Sequence, residues 1–391
     1  VPALRFKGYS DAWEKRKLLE ISKTYSGLTY HPEDIRESGT FVIRSSNVQN
    51  GSIVTADDVY VSPDIVNSSN VLKGDVIVVV RNGSRNLIGK HALMIRDMPN
   101  TVIGAFMTGI RSAHGPFINA LLSTKDFQSE VRKSLGATIN QITIRDFKLM
   151  SFAVPNSQEV NSIGAIFGML DNLIAATQHK IDALEQVKET LSKNLFDQLW
   201  RFKEYSTSWK ENKLKDIVSA YSGGTPSANI RTYYGGHIPF IRSAEIHSST
   251  TALTLTQEGL KNSSAKLVKT GDILYALYGA NSGDVDRSKI NGAINQAILA
   301  MRPSKENDSN FILFQLMRMK NKIVSTYLQG GQGNLSGRII LALNLDMPES
   351  TSEQRTIGRS LQLLCELISI NQSKYSQLES LKKSLLQNLF V

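Results

Sequence analysis

From about Glu159 to Trp200, apolar residues recur at spacings of three and four: Ile163, Ile166, Leu170, Leu173, Ile174, Ile181, Leu184, Val187, Leu191 and Leu195, with no proline among them. The segment from about Ser352 to Val391 repeats the pattern through Ile357, Leu361, Leu364, Ile368, Tyr375, Leu378, Leu381, Leu385 and Leu389. Each spacing predicts a long amphipathic helix. The pattern elsewhere is different. Asp75-Val76-Ile77-Val78-Val79-Val80 and Gly271-Asp272-Ile273-Leu274-Tyr275-Ala276-Leu277-Tyr278 predict buried strands, started by the turns Lys73-Gly74-Asp75 and Lys269-Thr270-Gly271-Asp272. Phe117 to Leu135 and Phe311 to Leu328 carry helical spacing, as expected of helices packed on a sheet.

These elements come in pairs because the sequence is written twice. Arg5-Phe6-Lys7, Tyr9-Ser10, Trp13 and Lys17-Leu18 return as Arg201-Phe202-Lys203, Tyr205-Ser206, Trp209 and Lys213-Leu214, at an offset of 196. Tyr25-Ser26-Gly27 matches Tyr221-Ser222-Gly223, Ile43-Arg44-Ser45 matches Ile241-Arg242-Ser243, and Gly74-Asp75 matches Gly271-Asp272. At the far ends Leu184-Glu185, Lys188 and Asn194-Leu195-Phe196 match Leu378-Glu379, Lys382 and Asn388-Leu389-Phe390, at an offset of 194. A period this long implies two domains rather than a solenoid. The chain therefore divides into 1–157 and 201–350, two globular α+β domains in tandem repeat, each followed by a long helix, 158–200 and 351–391. Roughly 35 helical residues span about 50 Å, longer than one such domain needs. The two helices are expected to pair as an antiparallel coiled coil, placing the domains at opposite ends; a helix laid on its own domain is the plainer alternative.

With 391 residues and 41% hydrophobic content, the chain can bury at least two cores. No apolar run was expected to span a bilayer and no signal-peptide core opens the sequence, so it reads as cytoplasmic with no membrane partner. Cys365 is the single cysteine, which excludes an internal disulfide and, from Leu363-Leu364-Cys365-Glu366-Leu367, reads as a core thiol. The net charge of +10 and a pI near 9.4 favour a polyanionic partner, nucleic acid before membrane.

A basic, two-headed chain suits two half-sites on duplex DNA, with a spacer of roughly 15 base pairs for about 50 Å. Two different heads would read an asymmetric, split target. Candidate readers are polar loop residues able to present paired donors and acceptors to base edges. In the first domain these are Arg44-Ser45-Ser46-Asn47, Arg81-Asn82-Gly83-Ser84-Arg85, and Asn140-Gln141 with Arg145. In the second they are Arg242-Ser243-Ala244-Glu245, Tyr278-Gly279-Ala280-Asn281-Ser282, Asn295-Gln296, and Gln332-Gly333-Asn334 with Arg338. For any single residue, a turn or solvated role is as natural as a base contact; the set carries the argument.

Signals for chemistry are weak. Gly83 to Gly89-Lys90-His91 imitates a phosphate loop but is one residue too long and ends in His where a magnesium-binding hydroxyl belongs. Gly331-Gln332-Gly333 precedes Arg338-Ile339-Ile340-Leu341, which reads as a strand, leaving no helix N-terminus for a phosphate. Asp64 with Asp146 and Lys148 could imitate a metal-dependent nuclease, at an awkward separation. The histidines at 31, 91, 114, 179, 237 and 247 lack metal-ligand spacing, so no metal site and no catalytic residue is predicted.

The opening Leu4-Arg5-Phe6 with Trp13-Glu14, the repeated Arg-Phe-Lys-x-Tyr-Ser-x-x-Trp, the Ser352-Glu353-Gln354-Arg355 run and the Leu195-Phe196 and Leu389-Phe390 helix ends resemble the specificity subunit of type I restriction–modification systems. The resemblance covers essentially the whole chain and departs where Glu159 is followed by Val160. It implies two target recognition domains that read the halves of a bipartite DNA target, and helices that fix the spacer and dock a methyltransferase. It also implies a chain with no catalysis of its own, partnered by double-stranded DNA, two methyltransferase (modification) subunits and restriction (translocase–nuclease) subunits. S-adenosylmethionine, ATP and magnesium would all be bound by those partners, and the lack of an Asn-Pro-Pro-Tyr or Asp-Pro-Pro-Tyr motif here agrees with that division. A metal-dependent nuclease and a stand-alone DNA-binding scaffold remain as rival readings.

Overall fold

The computed structural model describes residues 2–135, 140–328 and 334–390. Two compact units emerge: residues 1–180 with 371–391, and residues 181–370. Both long helices, Ser157–Phe196 and Thr351–Asn388, are therefore shared, each starting in one unit and ending in the other.

In the first unit, Lys23–Ser26, Met107–Arg111, Val76–Val79 and His91–Leu93 form an antiparallel sheet in that order. A second sheet runs Thr101–Ile103, Thr40–Ile43, Val59–Val61 and Ile35–Arg36, with its first pair parallel. The second unit repeats the design. Val218–Ser222, Ile298–Pro303, Ile273–Ala276 and Val285–Arg287 make the antiparallel sheet. Tyr234–Ile241 pairs in parallel with Gly292–Ile294 in the other. The predicted strands at 75–80 and 271–278 are the buried central strands.

Sequence identities between the repeats have physical causes here. A Cβ on Gly27 would lie 2.0 Å from the carbonyl oxygen of Gly104, and one on Gly223 would lie 1.8 Å from that of Ile294. Gly74 and Gly271 adopt φ of +92° and +94°, conformations that a side chain disfavours. The following aspartates are each gripped by an arginine. Arg111 donates to Asp75 at 2.8 and 2.7 Å, and Arg302 donates to Asp272 at 2.8 and 2.6 Å.

Burial works to raise the Asp272 carboxyl, but the Arg302 hydrogen bonds and the Lys269 N–H outweigh it and hold the group below its ordinary 3.8. A depressed folded value stabilises the unit above the unfolded one and stops doing so as pH falls through it. The urea midpoint of the Asp272→Asn variant should thus fall well below wild type at pH 7, and the gap should close as the pH is taken below about 4. A gap that stays constant with pH would assign the effect to lost packing.

The helix ends close the cores. In the first unit Phe390 meets Phe117 at 5.7 Å, Phe167 at 5.9 Å and Trp13 at 6.2 Å. In the second, Phe311 meets Phe196 at 5.1 Å and Trp209 at 5.5 Å. Within each unit the two helices run antiparallel. Asp171 pairs with Lys382 at 2.7 Å in the first, and Leu191, Leu195 and Phe196 join the core holding Ile357, Leu361 and Cys365 in the second. Cys365 is half-buried at that core's edge, and burial pushes its thiol up.

The basic-aromatic motif opening each repeat latches onto a helix start. Arg5 donates to Glu159 at 2.8 and 2.7 Å, with Tyr9 beside Ser162. Arg201 donates to Glu353 at 2.8 and 2.9 Å, with Tyr205 beside Ser352. Gln354 accepts from the Asp308 N–H and donates to the Pro348 carbonyl; the Val160 that replaces it in the first repeat is simply buried. The join into each latch also recurs. The Trp200 N–H donates to the Asn194 carbonyl at 3.0 Å, and the Leu4 N–H donates to the Asn388 carbonyl at 2.8 Å.

Three expectations need correction. Phe117 to Leu135 is two helices, Gly115–Leu122 and Lys125–Ser134, because Thr124 turns to cap the second by accepting from the Phe127 N–H. Arg338–Leu341 is not a strand but part of the helix Gly337–Leu341, capped by Ser336 accepting from the Ile339 N–H. One helix, Ser157–Phe196, is apolar enough by length and composition to cross a membrane, with a mean hydropathy of 1.3 over its best window. The residues that raise this value include Ile163, Phe167, Leu170 and Ile174, all buried in the first unit.

Candidate nucleic-acid interface

In the first unit, the strand Thr40–Ile43 runs into a tight turn at Ser45–Asn47. Asn47 makes that turn: its Oδ1 accepts from the Arg44 N–H at 2.9 Å, and its Nδ2 donates to the carbonyls of Val54 and Ala56 and to Asp58 at 2.9–3.1 Å. It is wholly buried. Asn47 is therefore scaffold and not a base reader; its side chain has been spent inside the protein. Arg44, half-buried, donates to the Asp57 carbonyl.

The loop after the central strand comes to the same place. Asn82 donates to the Ser45 hydroxyl at 3.1 Å and accepts from the Ser84 N–H at 2.9 Å. Arg85 donates to Asn140 at 2.7 Å, and the Gln141 backbone pairs antiparallel with that of Arg81. The next helix, Ile144–Leu149, presents exposed Arg145. Its cap explains Asp146, whose carboxylate accepts from the Thr143 N–H and hydroxyl at 2.7 and 2.6 Å and so is occupied in structure.

The second unit assembles the matching set. Arg242 precedes the turn Ser243–Glu245, and the Asn281 amide donates to the Ser243 carbonyl at 3.4 Å. Tyr278 bridges Asn334, as Arg81 bridges Gln141. Arg338, on its short helix, is exposed as Arg145 is. Asn295 and Gln296 occupy the turn between Gly292–Ile294 and Ile298–Pro303. That turn lies beside the Tyr278 loop, since the Leu277 N–H donates to the Ala297 carbonyl at 2.8 Å. Asn295 accepts from the Ala297 N–H and Gln296 accepts from the Thr225 hydroxyl. Gln332 lies outside the described residues.

Glu245 also holds its turn. Its carboxylate takes the Arg242 Nε and terminal nitrogen at 3.0 and 3.1 Å and the Ala252 N–H at 2.8 Å. Burial pushes its carboxyl up, but these bonds outweigh it and hold the group below its ordinary range. Two signals escaped the sequence reading: the Arg242–Glu245 pairing, visible only as an i, i+3 coincidence, and Phe106. This phenylalanine, 52% exposed, stands on the turn whose carbonyl receives the Val80 and Arg81 N–H groups, and the Arg81 guanidinium lies 5.1 Å from its ring centre.

Other candidates fare differently. His91, at the end of the imitation phosphate loop, has its ring against the carbonyls of Gly89 and Asn119 and the Ser123 hydroxyl, and burial lowers its pKa. Among the described residues, no group of three or more His, Cys, Asp or Glu side chains could hold a metal ion.

Each unit thus brings a turn, a post-strand loop and a short arginine-bearing helix to one end of its sheets, twice over in one chain. The family model of the type I restriction modification DNA specificity domain matches residues 10–186 and again 207–380, and the chain belongs to that family. It is 22% identical over 291 residues to the type I restriction enzyme EcoKI specificity subunit of Escherichia coli K12, an alignment spanning 68% of this chain and 62% of that one. It is 27% identical over 194 residues to the MjaIX specificity subunit of Methanocaldococcus jannaschii, spanning 47% of this chain and 44% of that one. The chain thus spans less than two thirds of the curated relatives it matches. Its fold is that of the type I restriction–modification S subunit from M. genitalium, with a TM-score of 0.75, 17% identity, and coverage of 100% of this chain and 99% of that one.

Proposed function

We propose that this chain is the address-reading subunit of a type I restriction–modification complex. Each unit reads one half of a bipartite, asymmetric DNA target, and partner subunits carry out adenine methylation or restriction there. The observation that carries this reading is the recurrence of one polar constellation in both units with different side chains in it: Arg81 against Tyr278, Gln141 against Asn334. A shared scaffold with divergent tips suits two different half-sites. Phosphate contacts from lysine and arginine would supply salt-dependent affinity, and the tips would supply sequence choice.

On this reading the chain performs no bond-breaking step. S-adenosylmethionine, ATP and magnesium belong to the partners, and the exposed apolar residues of the long helices, Met169 and Leu173 in one unit and Leu367 and Ile370 in the other, would receive the modification subunits. Single-molecule methylation sequencing of DNA from cells holding the modification subunit, with and without this chain, tests the proposal. A split adenine-methylated motif that needs the chain supports it. No such motif, with the modification subunit folded and bound to this chain, would leave a stand-alone scaffold as the better account.

Arg242 gives a residue-level check. If it pairs with a guanine, Arg242→Ala should cost about 1–3 kcal/mol on the cognate site and relax a single base position. A loss equal on all sequences would make it a phosphate contact.

A further inference from the structure

We propose that Phe106 is a specificity-determining residue of the first unit, holding Arg81 as a pre-set reader of one guanine. The proposal rests on the DNA-reading function argued above and adds to it a residue and a base.

The arginines of the interface differ in what their donors are doing. Arg44 donates to the Asp57 carbonyl, Arg85 to Asn140, and Arg242 commits two nitrogens to Glu245. Among the described residues, no hydrogen bond takes the Arg81 side chain. It is instead held by a ring contact with Phe106, 5.1 Å from guanidinium carbon to ring centre, and such a contact uses none of the five N–H donors. Its backbone is fixed at the same time, by the N–H that donates to the Phe106 carbonyl at 3.2 Å and by the bridge to Gln141. An arginine fixed at both ends, exposed, with its donors free matches what O6 and N7 of guanine require.

Phe106 has no evident structural reason to be aromatic. It is 52% exposed, and the residue in the same place in the second unit, Ala297, whose carbonyl likewise receives the N–H after the central strand, is a small residue 6% exposed. Exposed apolar residues are ordinary one by one, so what marks Phe106 is the Arg81 guanidinium set on its face. The second unit, lacking this ring, offers Tyr278 where the first offers Arg81. In this chain the first unit has both the ring and the arginine, and the second has neither.

The test is selection from a randomised duplex library by the full chain assembled with its modification subunits, followed by sequencing, for wild type, Arg81→Lys, Phe106→Ala and Phe106→Tyr. Because Phe106 is largely solvent-facing, the variants should fold, which their melting temperatures check. Expected is a guanine in one half of the wild-type motif whose preference falls on the order of tenfold in both Arg81→Lys and Phe106→Ala, at that same position. Phe106→Tyr should keep it, and the other half should not change. A wild-type motif with Phe106→Ala indistinguishable from it, or loosened at a different position from Arg81→Lys, overturns the role of the ring while leaving the DNA-reading function standing. A wild-type chain that selects no sequence overturns both.

Discussion

Arg111→Met is expected to destabilise the first unit by about 3 kcal/mol, the lower end of what removing one partner of a buried ion pair costs. The figure is at the lower end because the Arg111 side chain is 38% exposed, whereas Asp75 is only 2% exposed. The substitution strands a carboxylate whose remaining partners are the Tyr25 hydroxyl and the Leu72 N–H, at 2.8 and 2.9 Å. It also removes the guanidinium from the face of Tyr25, 4.9 Å away. The double variant Arg111→Met with Asp75→Asn should regain part of the loss, since the stranded charge is gone. Chemical denaturation followed through the first unit measures both. A single variant within about 0.5 kcal/mol of wild type would show the pair to be a surface ornament.

The second large effect concerns the target. Every candidate reader from Arg242 to Arg338 lies within one unit, and every one from Arg44 to Arg145 within the other. Replacing residues 201–350 with the matching segment of another family member should therefore rewrite one half of the methylated motif and leave the other base for base. Methylation sequencing of cells expressing the hybrid reads this directly. A motif altered in both halves would mean that the two sets of loops read the DNA together.

How much of this was legible in the sequence depends on what each feature needs. The repeat, the two long helices and the buried central strands rest on periodicity and self-similarity, which survive without any knowledge of contacts. That Arg44, Asn82 and Gln141 come together was not legible, since only the strand before Asn82 was located by the pattern. What a polar residue does once placed was not legible. Asn47 and Glu245 sit in the candidate loops by position yet hold turns, since a tight turn needs an acceptor three residues on as much as a base edge needs a donor. Ile339-Ile340-Leu341 suggested a strand because three β-branched or apolar residues stand together; the capping serine ahead of them decided for a helix. Phe106 was invisible, because it stands in a short turn where no periodicity separates an exposed phenylalanine from a buried one.

The two joins into the latches share one backbone hydrogen bond. Asn194 and Trp200 make it across one short turn of chain, while Asn388 and Leu4 make it between residues far apart in the sequence. Each latch is thus met by the same main-chain contact whether the helix end that supplies it is near in sequence or far.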